Sequence, residues 1–201
     1  MNDEELLTAA AKGDAAGVRD ALQAGAALEA RDGLGRTALL LAAAADHVET
    51  AEGLGVAGAD PAARDHRGDS AFLVTGMTGG VAMLRALLPA GPDPSAANQH
   101  GDVALIPACE RGHAGYVRAV LGTGIDVDHA NRLGLTGLLE AIIEGDGSGP
   151  YREIVGALIE AGADVNRPDG DGVSPLRHAL DRGQHSIAVL LRAAGARETP
   201  G

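Results

Sequence analysis

The stretch DGVSPLRHALDRGQHSIAVLLRAAGA, residues 171–196, reads as two short helices joined by a turn. Ser174 stands two residues after Gly172, where a hydroxyl can cap the unpaired N–H groups of a helix start. A short apolar helix follows, Gly183 marks a turn, and a second apolar helix runs to the Leu190–Leu191 pair and a closing Gly-Ala. The question is whether this phrase stands alone.

It does not. Gly25, Gly58, Gly91, Gly124 and Gly162 follow one another at steps of 33, 33, 33 and 38 residues. Gly35, Gly68, Gly101, Gly134 and Gly172 keep the same steps. Two separate markers hold one period and break it at the same place, which defines a repeat architecture. After each glycine of the second series comes Thr37, Ser70, Thr136 or Ser174; only Val103 departs. Apolar residues then recur at helical spacing, as in Val81, Leu84, Leu87 and Leu88, or Ile154, Val155, Leu158 and Ile159. Glycines of the first series sit where a helix ends in a left-handed residue.

This grammar resembles that of the ankyrin repeat family, whose pattern runs glycine, Thr/Ser-Pro-Leu-His, Ala-Ala, glycine, a Leu-Leu pair and Gly-Ala-Asp, and the resemblance covers roughly residues 4 to 197. It implies an all-α ankyrin-repeat solenoid, helix-turn-helix units joined by β-turn fingers, in a single domain over 1–201. Six repeats are expected: an N-terminal cap over 3–30, then 31–63, 64–96, 97–129, 130–167 and a C-terminal unit over 168–197. The family's Pro is kept only at Pro175; Ala38, Ala71, Ala104 and Gly137 replace it. The family's His, which ties neighbouring fingers, is replaced by Leu40, Leu73, Ile106, Leu139 and Arg177. Gly53, Gly55 and Gly76 lie inside helices, each at a cost of about 1 kcal/mol relative to Ala. Residues 31–96 are therefore expected to be the soft part.

Composition is consistent with thin layers. The only aromatic residues are Phe72, Tyr116 and Tyr151, so the core must be built from Ala, Leu, Val and Ile. A formal charge of −12 argues against nonspecific binding to nucleic acid or an anionic membrane. Fifteen arginines against one lysine, Lys12, with abundant Ala and Gly, point to a GC-rich bacterial source. One cysteine, Cys109, excludes an internal disulfide and a multi-cysteine metal site. With no signal-like start and no membrane-length apolar run, a cytoplasmic, monomeric protein is expected.

Three constellations suggest chemistry. Gly145–Pro150 has the glycine content of a phosphate loop, but a helix precedes it and no Gly-Lys-Ser/Thr follows. The period makes it a five-residue insertion in the turn of repeat five, with Pro150 opening the next helix. The seven histidines form no helical metal motif; His66 and His100, with Asp69 and Asp102, are expected to be solvated tips, so no metal and no cofactor are expected. Cys109 fills a small-residue slot as a buried hydrophobe. Glu140 and Glu144, one helical turn apart, fall near Arg111 and Arg132 if the repeats stack regularly. With His100, Asp102 and Glu110 they make an alternative small-ligand, metal or enzymatic site at the junction of repeats four and five.

The family resemblance implies a noncatalytic scaffold that binds a partner protein or peptide through its concave face. The positions that would vary there are Arg31, Leu34, Arg36, His66, Arg67, Asp69, Met77, Gln99, His100, Asp102, Glu110, Arg111, Arg132, Leu133, Leu135, Glu144 and Arg182. The set gathers arginines on an otherwise acidic chain and adds Leu133 and Leu135 as exposed apolar groups. Arginine is favoured at interface hot spots.

Overall fold

The computed structural model describes residues 2–198. Where one domain is expected, these residues group into two compact halves, divided between Gln99 and His100. The first half contains α1 (Asn2–Lys12), α2 (Ala15–Gln23), α3 (Ala38–Ala44), α4 (Val48–Val56), α5 (Ala71–Thr78) and α6 (Val81–Leu87), which runs into a 3-10 turn (Leu88–Ala90). The second contains α7 (Leu105–Glu110), α8 (Ala114–Leu121), α9 (Gly137–Ile143), α10 (Gly149–Glu160), α11 (Pro175–Asp181) and α12 (His185–Ala193). Extended pairing among the described residues is confined to the bridges Arg31–Thr37 and Ala130–Thr136.

In each half the odd-numbered helices pack side by side as one layer and the even-numbered helices form a second layer against them. Small side chains let the layers approach closely. Ala38, Ala42 and Ala43 of α3 are wholly buried, as are Ala108 and Cys109 of α7 and Ala141 of α9. Larger residues fill the space between layers: Leu6, Leu39 and Leu54 in the first half, and Leu139, Ile142, Ile154 and Leu158 in the second. Phe72 and Tyr116 are buried, whereas Tyr151 is only half-buried.

The hydroxyl caps form as expected. Thr37, Ser70, Thr136 and Ser174 accept from the backbone N–H groups of Leu40, Leu73, Leu139 and Arg177 at 3.2–3.3 Å. Such a cap is worth about 1 kcal/mol. Repeat four lacks it. There Val103 turns into the core, Ala104 occupies the cap position without a side-chain bond, and α7 shrinks to six residues. Pro107 falls third in that helix, where an N–H would have no partner within the helix. Both glycine series adopt positive φ, from +67° to +93° in the first and from +76° to +83° in the second. Side-chain-bearing residues are strained there.

The period break is divided between two elements. The second helix begins ten residues before its closing glycine in the other repeats, but α10 begins thirteen before Gly162. Three of the five extra residues thus lengthen the helix, and two lengthen the turn. The helix opens at Gly149 behind Ser148, with Pro150 in its first turn, one residue earlier than expected. Nor is the turn a free surface loop. Gln184 donates from Nε2 to the carbonyls of Ile142 (2.9 Å) and Gly145 (2.7 Å). Tyr151 donates from its hydroxyl to the Glu110 carbonyl at 3.0 Å. Its ring covers Gly112, where a Cβ would stand 3.2 Å away.

Candidate interaction surface

The fingers are built from a repeating acid or amide. Asp32 Oδ1 accepts from the N–H groups of Leu34 and Arg36, both at 2.9 Å, and Asp65 Oδ1 from those of Arg67 and Asp69. In the second half, Asn131 does the same for Leu133 and Leu135, and Asp169 for Asp171 and Val173. These are side chains mimicking a backbone turn. Burial raises the Asp32 carboxyl, but the Arg36 guanidinium and the N–H groups of Arg36 and Leu34 outweigh it and hold the group below its ordinary value. The glycine and hydroxyl markers do not point to this series, although an Asp or Asn recurs at 32, 65, 98, 131 and 169 with the repeat's own spacing.

Neighbouring fingers are joined by backbone. In the first half the His66 N–H donates to the Leu34 carbonyl (3.0 Å) and the Gln99 N–H to the Arg67 carbonyl (3.1 Å). In the second, the Arg132 N–H donates to the His100 carbonyl (3.0 Å) and the Gly170 N–H to the Leu133 carbonyl (3.2 Å). Arginines reinforce these links: Arg31 reaches the Arg64 carbonyl at 2.6 Å, Arg64 the Ala97 carbonyl at 2.7 Å, and Arg167 the Asp128 carbonyl at 2.8 Å. The side chains at the family's histidine position play no part. Leu40, Leu73, Ile106 and Leu139 are buried apolar groups, and Arg177 pairs with Asp181 on its own helix.

These bonds separate the expected contact residues. Leu34 (57% exposed) and Leu133 (71% exposed) stand at finger tips as large apolar groups facing solvent. His66, Arg67 and Gln99 in the first half, and His100, Glu110, Arg111, Arg132, Glu144 and Arg182 in the second, are not buried either. Three expectations need correction. Asp69 is only 2% exposed; its Oδ1 accepts from Asn98 Nδ2 at 3.0 Å and its Oδ2 lies 3.3 Å from Arg67, so it belongs to the finger's frame. Leu135 is half-buried rather than exposed. Met77 is half-buried against the first-half core. Several arginines have internal work as well: Arg31 in the finger link, Arg36 paired with Asp32 at 2.7 Å, and Arg182, whose Nε donates to the Ile143 carbonyl at 3.2 Å. Between α1 and residues 31–36 runs a groove lined by Asp3, Glu4, Leu7, Arg31, Arg36 and Leu41.

A domain of known structure from Acinetobacter baumannii AYE, described as an ankyrin repeat domain, superposes with a TM-score of 0.90 and 44% identity, over 96% of this chain and 98% of that one. This chain belongs to the ankyrin repeat family. The family model for a single ankyrin repeat matches residues 34–66, and that for three ankyrin repeats matches 72–169. The ankyrin repeat protein EF0377 superposes with a TM-score of 0.89 at 34% identity, over 94% of this chain and 97% of its own. The ankyrin repeat domain of Bcl-3, a member of the IkappaB family, gives 0.84 at 29% identity, over 96% of this chain and 86% of its own. YahD of Escherichia coli (strain K12), described as an ankyrin repeat protein, is 47% identical over 58 residues, which is 29% of either chain.

The ankyrin framework brings together only part of the alternative site. Asn131 Nδ2 contacts both Asp102 Oδ1 (3.1 Å) and Glu140 Oε1 (3.4 Å). Glu140 is 8% exposed; burial, then the charges of Glu110, Glu144 and Asp102, push its carboxyl up to about 7. Burial, with the Glu140 charge, also raises the Cys109 thiol far above its ordinary value, which leaves it without thiolate character. Among the described residues no group of three His, Cys, Asp or Glu is arranged to hold a metal ion, and no helix is long and apolar enough to cross a membrane.

Proposed function

We propose that this ankyrin repeat chain is a noncatalytic interaction module that engages a partner protein or peptide through its finger tips and first helices, the concave face of the family's solenoid. The observation that carries the reading is the pair of solvent-facing leucines, Leu34 and Leu133, on tips whose shape is already fixed by hydrogen bonds. Apolar groups on a preordered frame lose little conformational entropy when a partner covers them. Arg67, Arg111 and Arg132 add solvent-accessible cations that suit an acidic or mixed-charge partner surface.

The test is affinity capture from the native host with the unaltered chain and with Arg67, Arg111 and Arg132 replaced together by alanine. Because Arg67 also pairs with Asp69, loss of captured proteins supports the finger-side face when the variant keeps the native melting temperature, and an unchanged set of partners rejects it. The cluster of Asp102, Glu110, Glu140 and Glu144 favours a second reading, a small-ligand site at repeats four and five. A thermal-shift screen of metals and metabolites separates the two, because a ligand that binds only the native state raises the melting temperature. A flat screen favours the interaction module.

A further inference from the structure

Glu140 occupies a slot that carries Leu41, Val74 and Pro107 in the preceding repeats, all of them buried. A carboxyl there is largely removed from water, with Asn131 as its hydrogen-bond donor and acidic groups as the charges that act on it. Asp102 shares with it the single amide nitrogen of Asn131, so the two carboxyl groups lie within two hydrogen-bond lengths of each other. Glu144 is one turn further along the same helix, a spacing at which like charges destabilise. Glu110 closes the cluster from α7, the helix packed against α9. The other titratable or charged groups on elements packed against α9 are Cys109 on α7, with Arg111 at its C-terminal end; Tyr151, Arg152, Glu153 and Glu160 on α10; and Arg177, His178 and Asp181 on α11, with Arg182 at its C-terminal end bonded to the Ile143 carbonyl. The charges that act on the Glu140 carboxyl are those of Glu110, Glu144 and Asp102, and all three are acidic.

We propose that Glu140 is a proton-controlled switch of the second half: neutral, it leaves α7, α9 and the finger at Asn131 tightly packed; ionised, it loosens them by repulsion. Asn131 gives the charge a route to the surface. Its Oδ1 shapes the tip that carries Leu133, while its Nδ2 holds the two carboxyl groups. The direction is fixed by linkage. A carboxyl held at about 7 in the folded chain, against an ordinary 4.5, contributes stability that is full below pH 4.5 and is lost as pH rises through 7.

Two measurements decide it. In a carbon-detected NMR titration of the side-chain carboxyls, Glu140 in the native chain should titrate near neutrality, and Glu144→Gln should move its midpoint towards the ordinary value by several tenths of a unit. In unfolding between pH 4.5 and 8, the native chain should lose stability relative to Glu140→Gln by on the order of tenfold to a hundredfold in the folding equilibrium. A Glu140 midpoint in the ordinary carboxylate range overturns the proposal. So does a native-to-variant difference that stays constant with pH. If Glu140→Gln does not fold, the titrations of the native and Glu144→Gln chains still decide between the two outcomes.

Discussion

Gln184 shows how much one side chain contributes to a turn that looks accidental in the sequence. It is buried and spends both amide hydrogens on carbonyls of the preceding repeat, Ile142 and Gly145. Removing it strips partners from one buried and one part-buried acceptor, which costs about 1–3 kcal/mol. Gln184→Ala should therefore lower the free energy of urea unfolding by that amount. A change below about 0.5 kcal/mol, typical of a neutral surface substitution, would mean that water replaces the amide without loss. Nothing local announces this role, because Gln184 stands in an inter-helix turn where polar residues are ordinary. Asp69 is the opposite case. As an acid beside a finger glycine it reads as a surface contact, yet Asn98 and Arg67 draw it inward. Burial at such positions depends on the neighbouring repeat's side chain, which a single-repeat pattern does not contain. Glu140 is more legible: an acid in a column of Leu, Val and Pro breaks the apolar pattern, and only its carboxylate neighbours need the fold to be seen.

Among the elements, α4 and α6 are the weakest built. In α4, Gly53 and Gly55 lie in the last turns and His47 at its start makes no side-chain cap. Helix α6 has seven residues, starts at uncapped Gly80 and gives way to a 3-10 turn. A Cβ at Gly53 or Gly55 would meet nothing within 4 Å, and neither residue has positive φ. Gly53→Ala with Gly55→Ala should stabilise the chain by about 1–2 kcal/mol through backbone entropy alone, seen as a higher midpoint in thermal unfolding. A neutral or lower midpoint would point to a packing role for the bare helix surface. The helices themselves are readable from glycines and hydroxyl caps. The way repeat five absorbs its extra residues is not: the spacing gives five, and only Ser148 and Tyr151 in place show that three enter α10.

For the whole chain, the period by itself determines the fold, since two glycine series and four hydroxyl caps agree on where the helices begin and end. Stability in such arrays is close to a sum of repeat and neighbour terms, so it should vary along the chain. Native-state hydrogen exchange should find the amides of α4 and α6, within residues 31–96, less protected than those of α10. The reverse order would show that helix composition does not set local stability here. The linkage of the fingers has a further consequence. Because Leu34 and Leu133 join the finger frame through their main chain, their exposed side chains take no part in those bonds. Their identities are free to drift while the scaffold stands still, so under the proposed function a new binding preference is reachable by single substitutions that leave folding untouched.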